Sequence, residues 1–574
     1  MYNGNNIFGY SNQRNEVKKR VWIIMLIFSL LFSFLIWRIT NYMYFKSGPL
    51  KTMFNAQYTI DEKYGNQYKL TDCNGVDLLD HVTNYYAIID PVDYLRFNEY
   101  TSKYDMQALI ITLRNYNKSY DLEKIKGNGT GEKLRYNIDE VTYNKLKDIK
   151  KVKGFYTFES NDVINYKNQR IVNVLTNTKY DKNIRGDLWE STSKSASSLE
   201  MQIYNKIKNN QFTKIRFAKG INGEIAEGTI IEPKNNINVR LTLNKGIQAK
   251  VEDILHEKEY EKYGQIGIVL MESSSGKIRS MALKDDDGYN INLGVNGTSG
   301  TLPGSIFKVI VEQAGLDTNL ITKNEITTVN PNIFTQDTHN YEGETQFTVG
   351  EALRDSLNNI FAQLGYKIGF KNMYDYANKQ GMFGKVLNMQ QEESGKFDVD
   401  VNSSSAKDVI HQAAIGQKMK ITPLEALSIP TTIMNDGLYV QPSIIDSYVN
   451  DNNEVIENFT PKTSRVIKTE TAQYVKDDMI DVVNKGTGIQ AYIEGMNIGG
   501  KTGTTEYKED GNEGSDGWFV GFFTIKNINY SMVVLVKNID VTKVEGIGSQ
   551  GGGDTAAPIF KKVVNALSSI ENSN

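Results

Sequence analysis

Along the chain, apolar and polar residues change their rhythm several times, and each change marks an element. Val21 to Trp37 runs without a charge, directly after the basic triplet Lys18-Lys19-Arg20. An apolar run of that length, extended by Ile39, Tyr42, Tyr44 and Phe45, predicts a helix at the short end of what spans a bilayer. The other source of such a run, a cleaved signal peptide, requires a small-x-small site, whereas Arg38-Ile-Thr-Asn-Tyr follows here. From residue 41 to about 240 the pattern is mixed, charged and rich in Tyr. Tyr85 to Ile89 and Ala108 to Leu113 read as short strands, Asp121 to Gly131 as a loop, and Ser191 to Lys208 as an amphipathic helix. Near Leu241 the pattern becomes more regular. Gln248 to His256 is helical, and Ile266 to Glu272 and Ile278 to Leu283 form a hairpin around Ser-Ser-Ser-Gly-Lys. Ala413 to Asn435 is helical with a start signal at Thr422-Pro423. Trp518 to Ile525 and Tyr530 to Val536 alternate as strands, and Ala556 to Leu567 closes the chain as a helix. Strands at both ends with helices between them predict an α+β domain, an antiparallel sheet with helices on its faces.

These shifts divide the chain into a tail (1–20), a membrane anchor (21–40), a mixed α+β stalk without evident chemistry (41–240) and a C-terminal α+β domain (241–574). A length of 574 residues fits more than one domain. A net charge of −3 gives no electrostatic case for nucleic acid. Cys73 is the sole cysteine, and the four histidines stand far apart, so neither an intrachain disulfide nor a metal site is expected. Basic residues before the apolar run slightly outnumber those just after it. This predicts a cytoplasmic N-terminus, with the rest of the chain outside the cell membrane.

Candidate chemistry begins at Leu302-Pro-Gly-Ser-Ile-Phe-Lys308. Pro303 and Gly304 break the preceding segment, so Ser305 opens a helix whose partial positive end suits developing negative charge. Lys308, one turn on, can accept the serine proton in its neutral form. Three other Ser-x-x-Lys sets, at Ser191, Ser274 and Ser404, lack the Pro-Gly entry and the apolar helix that follows. What singles out Ser305 is company: the only Ser-x-Asn, Ser356-Leu-Asn358, and the only Lys-Thr-Gly, Lys501-Thr502-Gly503, follow in order. Gly486-Thr-Gly488 fits a loose dinucleotide pattern but follows a helical stretch instead of a strand, and no Gly-x-Ser-x-Gly elbow is present.

With these three motifs, residues 241–574 resemble the penicillin-binding transpeptidase family, monofunctional class B. Ala414-Ile-Gly-Gln417, Gly486-Thr-Gly488, Gly517-Trp-Phe-Val-Gly521 and Ala556-Ala-Pro-Ile-Phe560 add to the likeness. The resemblance implies a serine transpeptidase/β-lactamase-like fold and a D,D-transpeptidase that cross-links peptidoglycan stem peptides ending in D-Ala-D-Ala. It also implies covalent capture by β-lactams, no cofactor, and a SEDS-type membrane glycan polymerase as partner. It makes Ser305 the acylated nucleophile and Lys308 its base. Ser356 and Asn358 relay protons and hold the substrate amide, and Lys501 keeps the site positive. Thr502 and Thr504 meet the substrate carboxylate, Gly503 admits the substrate backbone, and the N–H groups of Ser305 and Thr504 form the oxyanion hole. A D,D-carboxypeptidase, a β-lactamase or a β-lactam sensor built on the same residues remain alternatives. Leu302 stands where the family commonly has an acidic residue or a second proline. The Glu-Asp-x-x-Phe-x-x-His signature of glycan-polymerising domains is absent from the sequence.

Overall fold

The computed structural model describes residues 8–45, 58–125, 132–166, 168–185, 188–294, 300–334, 345–399, 407–509, 512–539 and 551–573. Part of the Asp121–Gly131 loop expectation therefore lies outside the described residues. The chain forms two compact units: 1–66 with 82–162 and 212–233, and 67–81 with 163–211 and 234–574.

The first unit begins with the helix Phe8–Thr40. The stretch Glu16–Tyr44, which runs on into the π-helical turn Asn41–Phe45, is long and apolar enough to cross a membrane, and its large apolar side chains are exposed. Further on, the strands Leu134–Ile138, His81–Ile89 and Phe155–Val163 pair in that order. The strand expected at Ala108–Leu113 is instead part of the helix Lys103–Tyr116. Leu109 and Leu113 are fully buried, four residues apart, and Met106 and Ile110 pack beside them. This i, i+4 spacing, seen over a wider window, outweighs the strand preference of the two isoleucines.

The second unit holds all three motifs. Besides the C-terminal region it takes in 67–81 and 163–211, so the cut read at residue 240 does not coincide with the boundary between compact units. Strand Asn238–Leu241 pairs in parallel with Leu70–Thr71. Lys194 and Glu200 form a fully buried ion pair, and Glu200 also accepts from the Gln390 N–H. Groups satisfied in this way cannot be pulled apart without exposing or orphaning them.

The unit is built on a five-stranded antiparallel sheet. We label its strands β1 (Gln265–Glu272), β2 (Ile278–Leu283), β3 (Gly499–Glu509), β4 (Asn512–Ile525) and β5 (Ile528–Ile539). The order is β2-β1-β5-β4-β3, so β3 lies at one edge. On one face, Ile268, Leu270, Phe519, Phe523 and Val534 pack with α1 (Lys245–Leu255) and α6 (Ala556–Ser573). On the other face, Val269, Met271, Trp518, Val520 and Leu535 pack toward α2 (Lys308–Asp317), α4 (Asn358–Ile368) and α5 (Thr469–Lys485). Alternate residues thus serve opposite faces, and because both faces are covered the packed parts of β1, β2, β4 and β5 read as nearly continuous apolar runs, whereas β3 does not. Each buried Leu, Val or Phe contributes about 1.5–3 kcal/mol of transfer free energy. The single helix expected over Ala413–Asn435 is divided into Lys407–Ala414, Pro423–Ala426 and Ser428–Met434, with a short strand at Met419–Lys420. Gly416 at φ +78° ends the first piece. A capping box between Thr422 and Glu425, with Pro423 in the first turn, starts the second.

Candidate active site

Ser305 lies on a 3₁₀ turn, Gly304–Phe307, that leads directly into α2. The turn is held by close backbone approaches. A Cβ on Gly304 (φ +56°) would stand 2.7 Å from the Thr504 carbonyl, and one on Gly416 would stand 2.1 Å from the Gly304 carbonyl. The Gly304 N–H donates to the Gly416 carbonyl at 3.3 Å, and the Trp518 indole donates to the Leu302 carbonyl at 2.9 Å. Gly416→Ala is therefore expected to destabilise the fold by roughly 1–3 kcal/mol through its left-handed backbone and the clash with Gly304. Thermal unfolding, with active-site labelling beside it, checks this.

Ser356 is placed by the end of α3 (Val349–Arg354). The Leu357 N–H donates to the Ala352 carbonyl and the Ser356 N–H to the Leu353 carbonyl. This is a Schellman closure, whose left-handed residue is usually glycine. Ser356 occupies that position at φ +59°. A serine there carries backbone strain of about 1 kcal/mol, and the residue is buried, at 8% exposed, with its hydroxyl turned toward the two lysines. The chain re-enters a helix at Asn358, which puts the amide of Asn358 beside the same point.

Two lysines converge on Ser356. The Lys308 ammonium donates to the Ser356 carbonyl (2.5 Å), the Ser356 Oγ (3.2 Å) and the Asn358 Oδ1 (2.7 Å). The Phe361 ring flanks its Nζ at 5.6 Å. Lys501, on β3, donates to the Ser356 Oγ at 2.9 Å and to the Thr502 carbonyl at 3.1 Å. Both lysines are fully buried. A hydroxyl has one proton and two lone pairs, so Ser356 can accept from one amine while donating to the other once that amine is neutral. Burial pushes the Lys501 ammonium down to about 7, and the charge of Asp355 opposes part of that fall.

The polar chain continues outward. The Lys501 Nζ reaches the Thr502 Oγ1 at 3.4 Å, and the Thr502 and Thr487 hydroxyls lie 2.8 Å apart. Thr487 is exposed, whereas Thr502 is 6% exposed. Thr504 accepts from the Gly552 N–H at 3.1 Å. Gly503 leaves room for the serine turn itself: a Cβ there would stand 2.7 Å from the Pro303 carbonyl and 3.0 Å from Ile306.

The three sequence motifs thus meet: Lys308, Ser356, Asn358, Lys501 and Thr502 form one hydrogen-bonded cluster, and Ser305 and Gly503 lie on segments in contact. Thr487 was legible only as part of Gly486-Thr-Gly488, and its spacing gave no sign that it would reach Thr502. Among the described residues no group of three or more His, Cys, Asp or Glu is placed to hold a metal ion.

The model of the penicillin binding protein transpeptidase domain matches residues 266–565, which is 300 of the 574 residues. The chain belongs to this family. It is 25% identical over 362 residues to stage V sporulation protein D of Bacillus subtilis, covering 58% of this chain and 53% of that protein. It is 24% identical over 384 residues to the penicillin-binding protein PbpB of Mycolicibacterium smegmatis, with 62% and 58% covered. To the probable peptidoglycan D,D-transpeptidase PenA of Neisseria flavescens it is 26% identical over 359 residues, with 59% and 84% covered. The chain spans about half the length of the first two of these relatives. Among solved structures, a peptidoglycan synthetase of Bifidobacterium adolescentis superposes with a TM-score of 0.62 at 18% identity, over 90% of this chain and 97% of that one. Penicillin binding protein 3 of Mycobacterium tuberculosis, complexed with aztreonam, gives 0.57 at 18% identity, over 89% and 97%. At that identity the likeness establishes the fold.

Proposed function

We propose that this protein is a membrane-anchored peptidoglycan D,D-transpeptidase that works through an ester on Ser305 and is acylated there by β-lactams. The observation that carries the reading is the convergence of two buried amines, Lys308 and Lys501, on the Ser356 hydroxyl beside the Ser305 turn. In its neutral form Lys308 takes the proton as the Ser305 Oγ attacks the penultimate D-Ala carbonyl. Ser356 passes a proton toward the departing D-Ala nitrogen, the amide bond breaks, and the acyl group stays on Ser305. An acceptor amine then attacks the ester, returns the proton to the Ser305 oxygen and leaves as the cross-linked peptide. The N–H groups of Ser305 and Thr504 receive the oxyanion, at about 3 kcal/mol for each donor. Thr502 and Thr504, with charged Lys501 behind them, receive the terminal carboxylate, and Asn358 holds the donor amide. No cofactor enters this sequence.

The relatives support the reading in different ways. PenA of Neisseria flavescens is named a probable peptidoglycan D,D-transpeptidase, and the Mycobacterium tuberculosis structure holds a β-lactam. The Glu16–Tyr44 stretch supports a single-pass anchor, with the N-terminus cytoplasmic and the catalytic unit outside. Within residues 41–240, the stretches that lie in the first compact unit would then carry a non-catalytic stalk, and span and stalk would offer the route to a SEDS-type glycan polymerase. The test is a labelled penicillin on the full chain in detergent. A long-lived adduct on the wild type that is absent from Ser305→Ala supports the reading. Rapid release of hydrolysed drug favours a β-lactamase. An adduct that survives Ser305→Ala overturns the site.

A further inference from the structure

Beyond the three motifs, a buried charge sits behind the serine turn. Asp516, on β4, is 1% exposed. It lies where the pairing of β4 with β5 shifts register, between Ser515 and Gly517, and it faces Thr505 on β3. Such a bulge re-aims a side chain that regular pleating would send elsewhere. The Asp516 Oδ2 accepts from the Lys537 ammonium at 2.5 Å and from the Thr301 hydroxyl at 2.9 Å, while its Oδ1 accepts from the Asn538 N–H at 3.2 Å. Lys537 also reaches the Thr301 hydroxyl at 3.3 Å.

Thr301 stands four residues before Ser305. Its backbone is pinned to Ile421 by a reciprocal pair of hydrogen bonds at 3.0 and 2.9 Å. Its side chain is pinned to Asp516, and the next carbonyl, Leu302, to the Trp518 indole. Asp516 therefore grips the strap that leads into the serine turn from the strand paired with β3, which carries Lys501 and Thr504. The distance between nucleophile and oxyanion donors is set by these two segments. Lys537 balances the charge of Asp516.

We propose that Asp516, through the Thr301 hydroxyl and with Lys537 as its counter-charge, is a positioning residue that fixes the Ser305 turn against the Lys501–Thr504 strand. The proposal rests on Ser305 being the nucleophile. The discriminating variant is Thr301→Val, which keeps the shape, removes one hydroxyl and leaves the Asp516–Lys537 pair intact; Thr301→Ser restores the hydroxyl. On the full chain in detergent, with a labelled penicillin, Thr301→Val is expected to lower the first-order acylation rate constant by about tenfold or more, since small misplacements of reacting groups have large rate effects. The concentration for half-saturation before acylation and the thermal midpoint are expected to stay near wild type, and Thr301→Ser is expected to recover most of the rate. Asp516→Asn, which keeps an acceptor for Thr301, is expected to lose less rate than Asp516→Ala. Unimpaired acylation by Thr301→Val on a chain whose wild type labels overturns this proposal alone. Equal losses of rate in Thr301→Val and Thr301→Ser, each matched by a fall in thermal midpoint, also overturn it in favour of a purely structural role. A wild type that takes no label overturns the Ser305 reading and this proposal with it.

Discussion

Lys308→Met is expected to slow acylation of Ser305 by about 10²- to 10⁴-fold, the range over which a positioned proton acceptor accelerates such a step. Lys308 is fully buried at the start of α2, one turn beyond Ser305. Its three described acceptors, the Ser356 carbonyl, the Ser356 Oγ and the Asn358 Oδ1, fix the amine from one side. Methionine fills nearly the same volume and offers neither a proton acceptor of comparable basicity nor a donor. Arginine keeps the charge but stays protonated and cannot accept the serine proton, so Lys308→Arg is expected to fail as well. Stability should move far less than rate in the methionine variant. The acceptors at Ser356 and Asn358 lose a partner, at about 1–3 kcal/mol each if they stay buried and unpaired, while the burial cost of the ammonium disappears. A time course of labelling with penicillin, beside thermal unfolding of the same preparation, checks both. Labelling by Lys308→Met within tenfold of wild type would remove Lys308 from its assigned role.

Lys501 is expected to give acylation and stability opposite responses to pH. Burial lowers its ammonium from the ordinary 10.5 to about 7. Below about 7 the folded and unfolded chains both hold the proton, and the folded chain bears the full desolvation cost. Between about 7 and 10.5 the unfolded chain binds more protons than the folded one, so the contribution to stability rises with pH across that window and levels off above it. Recognition of a substrate carboxylate needs the charged form. The second-order acylation rate constant of the free protein should therefore decline above about pH 7, by up to tenfold per pH unit. A carboxylate ligand bound at Thr502 and Thr504 favours the charged form and moves the decline to higher pH in the bound complex. Lys501→Met removes both responses: the thermal midpoint at neutral pH should hold or rise, while acylation is lost. Thermal midpoints and penicillin acylation rates from pH 6 to 10 on one preparation measure both. An acylation rate that climbs through pH 7 to 9 would reject a cationic role for Lys501.

The cluster was legible in sequence to the extent that its residues sit in rare words. Ser305 and Lys308 were marked by the Pro-Gly entry, and Ser356 and Lys501 by the uniqueness of Ser-Leu-Asn and Lys-Thr-Gly. Ser356 carried a second sign, visible only in hindsight. A left-handed position closing a helix usually goes to glycine, and serine accepts the strain here while supplying the hydroxyl both lysines reach. Thr487, Thr301 and Asp516 carried no comparable sign, because a lone Thr or Asp has many ordinary uses on a surface or in a turn. Secondary structure followed the same division. Four strands of the central sheet, β1, β2, β4 and β5, are legible as apolar runs, whereas the edge strand β3 has none; in Ala108–Leu113 the three β-branched residues Ile110, Ile111 and Thr112 hide a helical period that appears only with Met106 and the packing of Leu109 and Leu113.

By itself, the sequence determined the apolar stretch near the N-terminus and the α+β pattern of the C-terminal region, and it singled out Ser305, Lys308, Ser356, Asn358 and Lys501 as candidates, since these depend on local periodicity and on short motifs. The tertiary structure decided which atoms meet. The Lys501–Ser356 hydrogen bond joins residues 145 positions apart, and Thr301–Asp516 joins residues 215 apart. Such contacts depend on sheet order, on a bulge in one strand and on the left-handed close of one helix, and no local pattern encodes the sum of those choices.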